Sequence, residues 1–350
     1  MFKLNCEVMN IAAYMAKIRV TAVVFMTSAL MACGVIYDQQ GDCSVKYRIE
    51  FKYDRNMEFA DAFEAKVPSV ALYVFDSQSV LVHQQVAPAA ELKDAGNAMV
   101  IELEPDRYTL LAWCGVDGSS FTVPTAVEGQ TTLSQMQCTM ARNSSGAGAY
   151  VDSDLSALYH GMMTLDYTDV AGVHTEVMSL TKNTNNFRII LQQTSSKGEV
   201  EAVDSSELEF TIVDSNGKMD YDNSLLEDEQ IEYRPWSIVT GNVDVDTQSA
   251  AVRASDVQVT VAELTTARLM TDSRPLLVVT NRSNGKKVLS VPIVDYALLV
   301  KGNYNKAMDD QEYLDRQDEY NMTFFIHDGE WVSSQIIINS WRVVIDNKEL

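Results

Sequence analysis

The sequence predicts an all-β protein, two β-sandwich domains behind an export signal, and three observations carry that expectation. Short runs with apolar residues at every second position recur along the chain between Gly, Pro, Asn and Asp turn signals. The 350-residue length exceeds what one hydrophobic core usually organises, which favours two domains. Helical spacing is confined to two short stretches, residues 56–66 and 309–317.

The first element is the export signal. Lys17 and Arg19 form a positive flank, residues 20–30 are largely apolar, and small Ala32 precedes Cys33, which is the order of a secretory signal. The apolar run falls well below the roughly 18 residues of a membrane-spanning helix. Leu30, Met31 and Ala32 before Cys33 fit a lipobox, so residues 1–32 are expected to be removed as a lipoprotein signal peptide and Cys33 to become the lipidated first residue. An ordinary signal peptide with an incidental cysteine is the competing reading. Met15 stands just before the charged flank and reads as a natural start. Residues 33–43 then form a polar tether.

The chain carries 27 basic and 49 acidic residues, a net charge of −22. Loss of the signal takes out Lys3, Lys17, Arg19 and Glu7 and leaves the mature chain more acidic still. Such a surface repels phosphate backbones, so nucleic acid is not an expected partner. Beyond Cys33 the cysteines are Cys43, Cys114 and Cys138. In an exported protein a bridge is permitted, and Cys114 with Cys138 is the first choice because both lie in one expected domain.

Residues 44–53 alternate apolar and charged and form the first strand; residues 70–75 form a buried strand, and 80–83 the next. Strands at 98–103 and 108–114 are joined by a turn in which Pro105 presets one torsion and Asp106 caps the following amide. Residues 142–156 are small and polar and read as a loop. The second block begins with a strand from 177, an Asn-rich crossing at Asn183, Asn185 and Asn186, and a strand out to 191. Further strands fall at 209–214, 257–264, 276–280 and 287–293, with Asn216-Gly217 and Asn284-Gly285 as tight turns. The helix at 309–317 opens on Asp309 and Asp310, as the helix dipole favours. Strands at 321–327, 336–338 and 341–345 close the chain. The two domains are placed at 44–178 and 179–350.

Several strings spread along the chain resemble the FimB/Mfa2 family of Bacteroidales fimbrial lipoproteins. They are Phe51-Lys52-Tyr53-Asp54-Arg55-Asn56 with the following Met57 to Phe63, Leu111-Ala112-Trp113-Cys114-Gly115, Leu158-Tyr159-His160-Gly161 and Leu180-Thr181-Lys182-Asn183-Thr184-Asn185-Asn186. The most distinctive pair is Gln311-Glu312-Tyr313-Leu314-Asp315-Arg316-Gln317-Asp318-Glu319-Tyr320 with Ile338-Asn339-Ser340-Trp341-Arg342-Val343. The resemblance implies two transthyretin-like β-sandwich domains, attachment to the outer membrane through lipid on Cys33, and a place anchoring or capping a type V fimbria. It implies fimbrial stalk or accessory subunits as partners, joined by strand exchange. Trp341, Arg342, Val343, Val344 and Ile345 are then the candidate exchanged strand, with an ordinary last strand of the second domain as the alternative. Related stalk subunits lose their N-terminal strand after a basic residue. A cut at Arg48 or Arg55 here would discard the lipid anchor, so the first strand is expected to stay.

Catalytic patterns do not emerge: His83, His160, His174 and His327 lack metalloprotease spacing, and no nucleophile elbow or phosphate loop occurs. No enzyme activity, cofactor, metal site or small-molecule substrate is expected. Asp152-Ser153-Asp154 lacks the glycine and closing glutamate of a calcium loop, and residues 226–230 read as a solvated acidic face. Tyr233-Arg234-Pro235-Trp236 offers an aromatic platform for a sugar, which supports an alternative role as a surface glycan-binding lipoprotein of a polysaccharide uptake system. Against it, the four tryptophans fall mostly in expected strands, where core packing is their usual use.

Overall fold

The computed structural model describes residues 44–116, 120–167, 170–194, 205–243, 257–302, 307–327 and 330–344. Its first strand, β1 (Val45–Arg55), uses the sequence alternation directly: Val45, Tyr47, Ile49, Phe51 and Tyr53 are buried, while the charged residues between them stay half-exposed. Each such burial contributes about 1.5–3 kcal/mol. A short helix, α1 (Phe63–Lys66), follows. Next come β2 (Ser69–Phe75), β3 (Leu81–Pro88), a single helical turn α2 (Ala89–Leu92), β4 (Ala98–Glu102) and β5 (Arg107–Cys114).

The chain then makes four short strands, β6 (Phe121–Thr122), β7 (Cys138–Met140), β8 (Asn143–Ser145) and β9 (Gly148–Val151). Two longer ones, β10 (Tyr159–Asp166) and β11 (Gly172–Lys182), complete the first block. Its seven-stranded sheet has the order β3-β2-β5-β10-β11-β1-β4. β10 and β11 pair only at Tyr159↔Lys182 and His160↔Thr181. Away from that corner the sheet doubles over, and the inner residues of β1 and β4 close on those of β2, β5 and β10 as one core. At the corner Gly161 leaves no room for a side chain: a Cβ there would lie 2.8 Å from both Met178 Sδ and Leu180 Cδ2.

The second block runs β12 (Thr184–Thr194), β13 (Leu208–Asp214), β14 (Lys218–Met219), β15 (Ile231–Tyr233), β16 (Ser237–Val243), β17 (Val257–Ala267), β18 (Leu276–Asn281) and β19 (Lys287–Pro292). Helices α3 (Ile293–Leu299) and α4 (Asp310–Arg316) precede β20 (Glu319–His327), β21 (Glu330–Ile338) and β22 (Trp341–Val344). Two six-stranded sheets result, β16-β17-β12-β20-β21-β22 and β19-β18-β13-β15-β9-β8, and their apolar faces share a second core. Among the described residues no helix is long and apolar enough to cross a membrane.

Several elements differ from the sequence reading. Residues 142–156 hold the β8–β9 hairpin, and β9 runs parallel to β15, so a segment of the first block completes a sheet of the second. Asn216-Gly217 does turn the chain, but β13 and β14 belong to different sheets, so no hairpin forms. A Cβ at Gly217 would lie 2.6 Å from Ile231 Cδ1 and 2.8 Å from Asp228 Oδ2, so those side-chain ends would have to shift to admit one. Helix α3 was not expected; its buried Ile293, Val294 and Ala297 cap the second core. The expected Cys114–Cys138 disulfide is not formed, and both thiols are free and buried. Strand alternation explains it: Trp113 faces the second core and its neighbour Cys114 the first, whereas Cys138 packs in the second.

Gly161→Ala is expected to destabilise the protein by about 1–3 kcal/mol through overpacking at the corner. Urea unfolding monitored by circular dichroism measures it; an unchanged midpoint would mean that the corner relaxes freely.

Candidate functional site

Leu30, Met31, Ala32 and Cys33 of the lipobox, Cys43, and Ile345 lie outside the described residues. The other four residues of the expected exchange strand, Trp341, Arg342, Val343 and Val344, form β22, which pairs with β21 through Ile338↔Trp341 to Gln335↔Val344. β22 is the edge of its sheet, with no strand on its other side among the described residues. An edge strand presents unpaired backbone donors and acceptors to another chain.

The hairpin that places β22 is tightly specified. Asn339 and Ser340 both have positive φ, 46° and 72°, as a two-residue turn matched to strand twist demands. The Asn339 side chain holds the turn against β20: its Oδ1 accepts from Asn321 N at 2.7 Å and its Nδ2 donates to Glu319 O at 3.0 Å. Trp341 follows at 55% exposure.

The second feature is the junction between the sandwiches, where β11 ends at Lys182 and β12 begins at Thr184. Only Asn183 lies between them, fully buried, its N–H donating to Leu158 O at 2.7 Å. Its side-chain amide exchanges two hydrogen bonds with Asn223, at 2.6 and 3.1 Å. Lys182 Nζ donates to Asp318 Oδ2 at 2.6 Å with little exposure on the lysine. Arg268 meets Asp315 through two parallel bonds, at 2.8 and 2.7 Å, and also donates to Asn223 O. From α4, Arg316 reaches the end of β1, donating to Asp54 O at 3.1 Å, with its guanidinium over the ring of Phe59 in the loop that follows.

His160 lies in this junction, edge-on to Trp113 at 4.7 Å, and its Nε2–H donates to Tyr221 O at 2.8 Å. Burial pulls its pKa down to about 4, so the imidazole is neutral at pH 7. Of the other histidines, His174 Nε2 binds Val170 O at 2.8 Å, and no group of metal-ligating residues occurs among the described residues. Trp113 is buried as expected, but Trp236 and Trp341 are exposed, against the expectation of core packing.

A family model of the fimbrillin-A associated anchor proteins Mfa1 and Mfa2 matches residues 40–347. The chain belongs to the Mfa2 family. A proposed adhesin from Bacteroides thetaiotaomicron is 31% identical, with a TM-score of 0.74 over 88% of this chain and 100% of that one. A proposed polysaccharide-binding protein from the same species is 29% identical, with a TM-score of 0.72 over 87% and 100%. The fimbrial anchor protein Mfa2 of Porphyromonas gingivalis shares the fold at 19% identity, with a TM-score of 0.63 over 87% and 100%. No curated protein sequence matches the chain. The strings that carried the Mfa2-family resemblance are largely those that meet at the junction: Asp54 and Phe59, Trp113, Leu158 and His160, Lys182 and Asn183, Asp315, Arg316 and Asp318.

The junction gives the Mfa2-family chain a defined acid response. The unfolded chain protonates His160 near pH 6.5 and the folded one near 4. The contribution of neutral His160 is therefore complete above pH 6.5 and is lost as pH falls toward 4, by up to about 3 kcal/mol. Asp214 acts oppositely, since burial raises its carboxyl to about 6 and its penalty is relieved by acid. Wild type is thus expected to lose more stability than His160→Gln between pH 6.5 and 4, read as urea midpoints; equal losses would exclude His160 as the titrating group.

Proposed function

We propose that this chain is an outer-membrane lipoprotein that anchors or caps a type V fimbria. Membership of the Mfa2 family supports a fimbrial, cell-envelope role and a structural protein rather than an enzyme. In this reading the lipid on Cys33 holds the protein in the outer membrane, residues 33–43 span the headgroups, and the two domains meet at Asn183 rather than at the expected 178/179, because β11 runs on to Lys182. Several acyl chains, at about 0.8 kcal/mol per buried methylene, resist extraction where a single chain would not.

Stalk or accessory fimbrial subunits are the partners, and the observation that carries the proposal is β22, an edge strand with no strand on its outer side among the described residues. Strand exchange there would give the neighbour main-chain hydrogen bonds and alternate side-chain pockets. At the other end β1 is built in to stay. It lies between β11 and β4, pairing in parallel with one and antiparallel with the other. Arg48 sits within the strand, its Nη2 donating to Ala95 O and Gly96 O at 2.8 Å each. Removal of β1 would strip its buried residues from the first core, so we read the protein as uncut and lipid-bound.

Cys33→Ala is expected to release the protein, with any fibre it holds, into the medium while circular dichroism stays unchanged. Electron microscopy of cells and medium reads the result; fibres still attached through the variant would refute lipid anchoring. The intact mass of the surface protein should correspond to a chain beginning at lipidated Cys33, and a chain beginning at Ile49 or Asn56 would refute retention of β1.

A further inference from the structure

The outer face of the β16-β17-β12-β20 half-sheet carries a groove of about 570 Å³ near the junction, within the range of about 300–1,000 Å³ usual for small-ligand sites. Its floor is set by register. Ser237 pairs with Glu263, Glu263 with Arg188, and Arg188 with Asn321, which places one polar row across four strands. A second row runs Thr265, Asn186, Glu319. One wall is Trp236 and the other is the segment around Asp154.

Trp236 is 41% exposed, yet the chain around it is held. Its N–H donates to Glu263 O at 3.0 Å, Tyr233 just before it is fully buried, and the Arg234 guanidinium lies 4.2 Å over the Tyr150 ring. The main chain that carries the indole is thus held, and the half-exposed indole lines the groove as an apolar plate. The plate's π face is electron-rich and attracts weakly positive C–H groups, such as those lining one face of a pyranose ring.

The polar floor supplies the complementary half. Arg188 Nε and Nη2 both donate to Glu263 Oε1, at 2.9 and 2.6 Å, and Asn186 Nδ2 donates to Glu319 Oε1 at 2.8 Å. Thr265 donates to Asp154 Oδ1 at 2.7 Å. These pairs orient the floor and leave Arg188 Nη1, Glu263 Oε2 and Glu319 Oε2 without partners among the described residues. Donor and acceptor side by side suit adjacent hydroxyls, each of which both donates and accepts. Carboxylates outnumber cations in the groove, and the chain carries a net charge of −22, which disfavours uronic and sialic acids.

We propose that this groove binds a neutral glycan, with one hexose ring stacked on Trp236 and its hydroxyls on Glu263, Arg188 and Asn186. The site is independent of fibre anchoring and would add a carbohydrate contact to the protein's envelope role. The test titrates the purified mature protein with neutral hexasaccharides of mannose, β-1,3-linked glucose and β-1,4-linked glucose, and with hexagalacturonic acid as the charged control, by calorimetry.

At least one neutral probe should bind with a Kd of about 0.1–1 mM. Trp236→Ala and Glu263→Gln should each weaken it about tenfold or more, Trp236→Phe should retain binding within a few fold, and Trp341→Ala should leave it unchanged. Circular dichroism confirms that each variant is folded, and Trp236→Ala should leave fibre attachment to cells intact. No binding of any neutral probe, binding unaffected by Trp236→Ala, or tighter binding of hexagalacturonic acid would each overturn the proposal.

Discussion

A single buried residue, Asn183, separates the last strand of one sandwich from the first strand of the other, and much of the molecule is arranged around that constraint. With no linker to absorb relative motion, the two sandwiches must meet in one fixed geometry. The groups that meet there are polar, so each has to be paired. Asn183 and Asn223 satisfy one another, Arg268 and Asp315 form a bidentate pair, and Lys182 is neutralised by Asp318. Both ion pairs are partly buried, so removing one partner leaves the other charge incompletely solvated and costs stability.

The same constraint connects fold to load. β1 is clasped by Arg316 through Asp54 O, and Arg316 belongs to the helix that leads into β20. β20 in turn holds Asn339 and hence β22. On the fimbrial reading, force entering at the edge strand and leaving through the tether would pass through backbone ladders and the junction in series. Cooperative shear of several strand pairs resists such a load better than a flexible linker would. The segment that places β9 beside β15 adds a second crossing between the blocks.

The strands were legible because half-buried sheets impose period two on side chains, which β1 follows residue by residue, and because a strand packed on both faces, such as β5 with residues 110–114 all buried, reads as a continuous apolar run. Helix α4 was legible through its acidic start, where Asp309 Oδ1 accepts from Glu312 N. Pairings between distant segments were not legible: nothing local to residues 142–156 announces that β9 will seek β15. The disulfide expectation failed because Cys114, on β5, faces the first core while Cys138, on β7 of a different sheet, packs in the second. The resemblance strings marked the right residues without giving their reason, which is the need to satisfy buried polar groups at a rigid crossing. The aromatic run at Tyr233–Trp236 was visible in sequence, but only register brings Glu263, Arg188 and Asn321 beside it.

That the junction makes one mechanical body of two sandwiches is the central claim, and native-state hydrogen exchange across low urea concentrations tests it most directly. The slowest amides of β1, in the first sandwich, and of β12, in the second, should open with the same free energy and the same denaturant dependence, as members of one cooperative unit. Opening of β1 at a distinctly lower free energy than β12, with a shallower dependence, would contradict it and show two sandwiches that unfold independently.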